Sequence, residues 1–492
     1  MTAKIVIIGI DAMDKELVSR FEDQLPNIRK LKNSGKSIKL NSVTPPDSDT
    51  AWATIYTGLN PAQHGIVQYV DPLEKSVSYV AKDIDNHPIK GKTFWDIASE
   101  AGKKVCVLTP HIGYPVWAVN GVMVARSSIE DNVDSFPKDF RANIDLASLN
   151  VPKGMPGKRL GEYKRKNEEL LDSQGKLFLE MLERDDWDLF FVYTSVLDMV
   201  KHYFWNMYDE TDPSYPGKNE FQDVIKDFYI LHDQMVGKIM EKAKGATLIL
   251  LSDHGHGMRP VRVLNVNELL RQKGYLILKD KGIDKSVSVI TDKIKGTALS
   301  VVSKFGLGTL ASKMLKLMPW AKRLYTSPLA IDWEKTVAFA TNLSGIKAYS
   351  YSGIAINKDN LNHLDYEEVR QNIITELSSL LDSSTNQPYV KWIKCREDMY
   401  SGPYLEKYPD IVFELHYGLG VGLTANNELM GKSNSHHLVP GSHRSDTAVF
   451  YMSGQEKEIK NTELDLIDVA PTILDCLGLE IPPWVEGESI FS

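Results

Sequence analysis

The sequence is poor in cysteine: Cys106, Cys395 and Cys476 are the only three in 492 residues, far apart and without Cys-x-x-Cys spacing. An odd number of scattered thiols excludes a disulfide framework and a cysteine metal site. Cys106 lies between Val105 and Val107 and reads as a small buried hydrophobe. Cys395 stands between Lys394 and Arg396, but no other sign of thiol chemistry accompanies it. A basic excess is also missing. The 57 Lys and Arg against 65 Asp and Glu give a net charge of −8, which argues against a nucleic-acid polymer as partner. No run approaches the roughly 20 apolar residues of a membrane span, and the apolar run near the N-terminus is too short for a secretory signal. The expected location is therefore cytoplasmic. Repeats and low-complexity tracts are absent, and 33 Gly with 23 Pro lie far from fibrous or disordered composition. At roughly 150 residues per domain, the length suggests about three domain-sized units, or one large core with insertions.

What is present is a rhythm of short β-branched runs, each followed by a turn and a helical pattern. Lys4–Ile10, Lys104–Thr109, Asp188–Thr194, Thr247–Ser252, Asp410–Leu415 and Thr447–Met452 read as strands buried on both faces. Helical periodicity marks Gly161–Glu183, Glu220–Ala243 and Tyr366–Leu381. The alternation predicts an α/β fold, a doubly wound and mainly parallel sheet with helices on both faces, plus a helical insertion and a small α/β lobe. Expected boundaries are 1–257 for the first part of the core, with a surface insertion at about 131–187; 258–335 for a basic helical cap; 336–400 for the small lobe; and 401–492 for the rest of the core. Within the cap, residues 281–325 hold nine Lys and Arg against Asp284 and Asp292, with apolar residues at helical spacing (Val287, Ile290, Ile294; Leu310, Met314, Leu317). Such a segment is either a cap with solvated lysines or a contact to an anionic membrane surface or substrate.

Ligands of open α/β sheets gather beyond the carboxyl ends of the strands. Reading those ends gives Asp11, then Asp198 and His202, then Asp253-His254, and before the last strand Gly441-Ser-His443-Arg444. Asp and His without sulfur suit zinc or manganese. Asp198 and His202, four apart, share one face if the segment is helical. Between the first two strands lies Thr44-Pro-Pro-Asp-Ser48-Asp-Thr50-Ala-Trp52, running on to Thr57-Gly-Leu-Asn-Pro-Ala-Gln-His64. Ser48 and Asp49 stand where a helix through Thr57 would begin, as an N-cap or as a hydroxyl nucleophile at the positive helix end.

Together these motifs resemble the alkaline phosphatase superfamily, and within it the type I phosphodiesterase/nucleotide pyrophosphatase branch. The residues that carry the resemblance are Ile8-Gly-Ile-Asp11, Thr57-Gly-Leu-Asn-Pro-Ala-Gln-His64, Asp198-x-x-x-His202, Ser252-Asp-His254-Gly and Gly441-Ser-His443. Tyr114-Pro115, Val119–Val124, Gly402-Pro-Tyr-Leu and Asp468-Val-Ala-Pro-Thr472 are similar to its intracellular phosphohydrolase/phosphomutase-like members. The resemblance implies two divalent metal ions, zinc first and manganese second. One would be held by Asp198, His202 and His443, the other by Asp11, Asp253, His254 and the nucleophile. It implies Ser48 as that nucleophile, nine residues before Thr57, with Thr50 the competing hydroxyl. Relatives carry an Asn three residues after the nucleophile where this chain has Ala51, so another donor must face the phosphate. Arg444 and His111 qualify by position, and Trp52 is a third expected substrate contact. His64 and His256 read as structural.

The expected reaction is hydrolysis of a small anionic phosphodiester through a phosphoseryl intermediate. The alternatives are a phosphomonoesterase, a phosphomutase on a small phosphorylated metabolite, or an inactive binding protein. Sulfatase chemistry is disfavoured, because Ser48-Asp49-Thr50-Ala51-Trp52 lacks the C/S-x-P-x-R context. The sequence does not fix oligomeric state.

Overall fold

The computed structural model describes residues 4–67, 89, 91–127, 131–152, 156–279, 331–341, 343, 349–382, 385–425, 428–433 and 435–492. The basic segment 281–325 lies outside these residues.

The core is a nine-stranded sheet in the order β18-β2-β17-β7-β1-β6-β3-β4-β5. Its strands are β1 (Ile5–Ile10), β2 (Lys36–Asn41), β3 (Val105–Leu108), β4 (Gly121–Arg126), β5 (Val133–Phe136), β6 (Leu189–Thr194), β7 (Thr247–Leu251), β17 (Ala448–Ser453) and β18 (Glu463–Asp465). The pairings from β7 through β1, β6 and β3 to β4 are all parallel. Only β17 and the edge strand β5 run against the rest. In β1 the alternation sorts side chains: Val6, Ile8 and Ile10 enter one buried cluster, while Ile5 and Ile7 enter the other. Helices Leu160–Arg184, Val196–Tyr208 and Val224–Lys242 close the first face, and Ser48–Thr57, Phe94–Glu100 and Val469–Cys476 close the second. Both faces of the central strands are thus dry, which is why they read as continuous apolar runs.

The small lobe is drawn differently from expectation. Its four-stranded sheet joins β10 (Ala338–Thr341), β11 (Tyr351–Ile356), β13 (Ile411–Leu415) and β12 (Val390–Cys395) in that order, all antiparallel. The run Asp410–Leu415 therefore belongs here and not to the doubly wound sheet. A three-stranded sheet of β14 (Leu419–Gly422), β9 (Arg262–Asn265) and β15 (Met430–Lys432) adjoins it. Leu264, Val266 and Leu269 share one core with Ile354 and Phe413, so the described part of the expected cap is built into the lobe. The lobe also runs past residue 400, because β13 to β15 bury their apolar faces in that core. Residues 131–187 differ too: they supply β5 and the long helix Leu160–Arg184, whose Leu170, Leu177, Phe178 and Met181 face the sheet. Its 3.6-residue apolar stripe, not its loop-rich start, decides where that segment goes.

Candidate active site

Asp11 and the pair Asp253-His254 stand just past the carboxyl ends of the parallel neighbours β1 and β7, and Asp198 lies in the helix that follows β6. Asp11 follows β1, with Ala12 next to it in the left-handed region at φ 58°. A non-glycine residue is rarely held there, and in this chain the Ala12 N–H donates to Asp253 Oδ1 (3.1 Å), tying the ends of β1 and β7 together. Asp198 and His202 lie one turn apart on the helix Val196–Tyr208. The stretch ahead of β17 is itself a short strand, β16 (Gly441–Arg444), paired antiparallel with β8 (Gly255–Met258). That ribbon sets His443 opposite His256 and lowers His443 onto Asp198 and His202.

The distances are short. His202 Nε2 lies 3.3 Å from Asp198 Oδ2 and 3.1 Å from His443 Nε2, and His443 Nε2 lies 3.5 Å from Asp198 Oδ1. In the second group His254 Nε2 is 3.2 Å from Asp253 Oδ2 and 3.6 Å from Asp11 Oδ1. Ser48 Oγ stands at the mouth of that group, 3.3 Å from His254 Nε2 and 3.4 Å from Asp11 Oδ1. Ser48 opens the helix Ser48–Thr57 behind the N-cap residue Asp47 and keeps partial exposure, whereas the Thr50 hydroxyl is sealed and makes no hydrogen bond.

Three observations fit these groups to cations. His202 Nδ1 donates to Gly441 O (3.1 Å) and His254 Nδ1 to Gly255 O (2.9 Å), which turns each Nε2 lone pair into the site, toward His443 Nε2 (3.1 Å) and Ser48 Oγ (3.3 Å) respectively. Burial, reinforced by Asp253 and Asp198, pushes the Asp11 carboxyl up to about 7, and burial raises Asp253 to about 6. Carboxylates that repel each other this strongly in a dry site are a natural seat for a divalent ion. Burial works against the Asp198 anion as well, but His202, His256 and His443 outweigh it and hold its carboxyl well below the usual range. Asp11, Asp253 and His254 thus form one group close enough to share a cation, and Asp198 belongs to two more, one with His254 and His443 and one with His202 and His256.

The supporting contacts revise the expected substrate residues. Trp52 is fully buried, and its indole N–H donates to Asp11 Oδ2 (3.2 Å), as does the Tyr193 hydroxyl (2.5 Å). Trp52 therefore orients a site carboxylate and offers a substrate no surface. Its ring meets Tyr193 edge-on at 5.0 Å, and Gly9 leaves room for it: a Cβ there would come 2.6 Å from the indole. Arg444 is committed elsewhere, to Glu16 (2.7 Å) and over the Tyr417 ring. His111 stays at the site, one-fifth exposed, with Nε2 2.7 Å from Asp49 Oδ1 and Nδ1 3.2 Å from the Tyr193 hydroxyl. Burial alone would lower its pKa, but Asp49 and Asp11 raise it above the ordinary imidazole value. Sequence reasoning missed Arg126, the last residue of β4, whose Nη2 donates to Ser195 Oγ (2.9 Å) while its buried Nε makes no hydrogen bond. Its position at a strand end was the available signal. It also missed the tyrosines of the small lobe: Tyr351 donates to Asp47 (3.1 Å), and Tyr408 donates to Thr44 O (3.0 Å).

Among the described residues, no helix is long and apolar enough to cross a membrane. A comparison with curated protein sequences finds no significant match. Among solved structures, the phosphonoacetate hydrolase of Sinorhizobium meliloti 1021 superposes along nearly the whole chain. Its phosphonoformate complex gives a TM-score of 0.57 at 16% identity, covering 97% of this chain and 95% of that one. Its phosphonoacetate complex gives 0.56 at 17%, with the same coverage. At such identity the likeness speaks to the fold, an alkaline-phosphatase-like α/β architecture. The family model described as "Type I phosphodiesterase / nucleotide pyrophosphatase" matches residues 5–437, a span that takes in Asp11, Ser48, Asp198, His202, Asp253 and His254. The chain belongs to that family and is a phosphoric ester hydrolase of the alkaline phosphatase superfamily.

Proposed function

We propose that the protein is a metal-dependent phosphodiesterase acting on a small anionic diester, with Ser48 as its nucleophile. The observation that carries this reading is the place of Ser48 Oγ, partly exposed and within 3.4 Å of both Asp11 Oδ1 and His254 Nε2. Two divalent ions, zinc or manganese, fit the sets Asp198/His202/His443 and Asp11/Asp253/His254; when bound they supply charge neutralisation for the phosphate and favour the serine alkoxide. The chain's own residues do the rest. The N-terminus of the helix Ser48–Thr57 favours negative charge on Oγ. Oγ attacks phosphorus in line, the bond to the leaving oxygen breaks, and that oxygen takes up a proton. Water then attacks the phosphoserine, releasing a phosphomonoester and restoring the Ser48 hydroxyl. Trp52 and Tyr193 hold Asp11 still throughout. To His111, whose partner Asp49 favours its protonated form, and to Arg126 we assign the donor to a non-bridging phosphate oxygen that Ala51 does not provide.

The test is turnover of a chromogenic diester beside its monoester, after reconstitution with zinc or manganese, with Ser48→Ala as control. Removing a covalent nucleophile should lower diester turnover by at least about a thousandfold, within the range such deletions show in other nucleophile-dependent hydrolases. Monoester turnover alone would point to the phosphomonoesterase or phosphomutase alternative. A fully active Ser48→Ala protein would overturn the assignment of the nucleophile.

A further inference from the structure

One imidazole beside the site has no role in the chemistry above. His256, in β8, is 1% exposed, and neither of its ring nitrogens makes a hydrogen bond. Its Nδ1 points across a gap of 3.4 Å at Asp198 Oδ1, an atom that also lacks a hydrogen-bond donor. The ring centroid lies 4.8 Å from that of His202 and 5.9 Å from that of His443. We propose that His256 is an additional protein donor, through Nδ1, to the cation held by Asp198 and His202; the proposal rests on the metal-site reading above.

The backbone holds His256 in this pose on purpose-built contacts. Its N–H donates to Asp14 Oδ2 (3.1 Å), and Asp14 also caps the helix Lys15–Arg20. On the far side of the ring Gly441 leaves the space that Nε2 fills: a Cβ there would sit 2.4 Å from Nε2 and 2.3 Å from Lys201 O. A phenylalanine would fill the same volume against Trp205, 5.6 Å away, without burying a polar group. A buried nitrogen left unsatisfied is costly, so an imidazole in this place needs a partner, and a cation beside Asp198 supplies one. The Asp198 position then has four protein donors, Asp198, His202, His256 and His443, against three at the Asp11 position besides Ser48. It should hold its ion more tightly than the Asp11 position does.

The experiment strips the full-length protein with a chelator and titrates it with cobalt(II), reading bound metal per chain and the visible spectrum. His256→Asn replaces the ring nitrogen by a carboxamide whose N–H can face Asp198 and whose oxygen is a poorer donor to cobalt(II) than an imidazole nitrogen. The expected result is two bound cobalt ions in the parent protein. In His256→Asn the tighter site should weaken at least about tenfold, with a changed spectrum and the second site intact; outer hydrogen-bond partners of metal ligands already change affinity by about 10–100-fold. Unchanged affinity and spectrum in a folded His256→Asn protein would reduce His256 to a hydrogen-bond donor for Asp198 and overturn the proposal. If the variant does not fold, the hyperfine-shifted imidazole resonances of the cobalt-loaded parent decide: four shifted histidines support it and three reject it. A parent protein that takes up no metal would instead sink the metal-site reading itself.

Discussion

At the scale of single residues, the site is a set of oriented lone pairs. Asp11 shows how far the orientation is prepared: one carboxylate oxygen is held by an indole and a phenol, and the other faces Ser48 and His254. Trp52→Phe removes one donor while keeping an aromatic ring in the packed wall of Tyr56, Phe191 and Tyr193. Metal affinity at the Asp11 position should fall by about tenfold or more, with little change at the Asp198 position, as read by competition with a chromogenic chelator. The Asp and His residues were legible in the sequence because carboxylates and imidazoles straight after buried strands have few other reasons to be there. The role of Trp52 was not, because an indole in an apolar helix reads the same whether its N–H points at solvent, backbone or a carboxylate.

Among the elements, the parallel strands were legible and the β8–β16 ribbon was not. Gly255–Met258 and Gly441–Arg444 are two four-residue pieces nearly two hundred residues apart, and neither has the apolar alternation of a strand. They pair because tertiary contacts bring them together, which local periodicity cannot report. The same holds for the small lobe, where Tyr351 and Tyr408 reach across to the loop Thr44–Asp47 that delivers Ser48. The loop has no side-chain cap of its own at Asp47, so its rigidity is borrowed from the lobe. Tyr351→Phe should therefore leave the fold and metal content intact and lower kcat for the diester by about tenfold, since small misplacements of a reacting group cost on this order or more. Steady-state kinetics with parallel metal analysis checks this; loss of metal along with rate would mean that Tyr351 supports the metal site instead.

For the whole molecule, the core contains two buried histidines that serve the fold and not the chemistry. His64 Nε2 donates to Thr54 Oγ1 (2.9 Å) and its Nδ1 accepts from the Ile66 N–H (3.2 Å), a pattern only the neutral ring can satisfy. His232 donates from Nδ1 to Phe228 O inside the helix Val224–Lys242. Burial pushes their pKa values down to about 3 and about 4. Because the folded values lie below the unfolded value of about 6.5, the unfolded chain takes up the extra protons. Their contribution to stability is whole above pH 6.5 and is lost as pH falls through the window from about 6.5 to 4 for His232 and to 3 for His64. Denaturant midpoints across pH 7 to 4.5 should drop, and His232→Leu should make the drop shallower, by up to about 1.4 kcal/mol per pH unit. An identical slope in parent and variant would refute the assignment. The site and the fold class could be read from the chain at this scale, but the lobe boundaries could not, because the lobe is discontinuous. It takes β9 from before residue 280 and β10 to β15 from after residue 330.

The strand order carries a consequence for how the protein comes into being. β17 lies between β7 and β2, so β2 has no partner on that side until residues 448–453 exist. His443, just ahead of β17, completes the first donor set at the same moment. At roughly 5–20 residues per second, ribosomes need on the order of tens of seconds to travel from one of these strands to the other. Throughout that interval the nascent chain carries an open sheet edge and an incomplete donor set, so it depends on whatever shields exposed strands during synthesis. One short stretch, residues 441–453, thus closes the sheet and brings in His443 together.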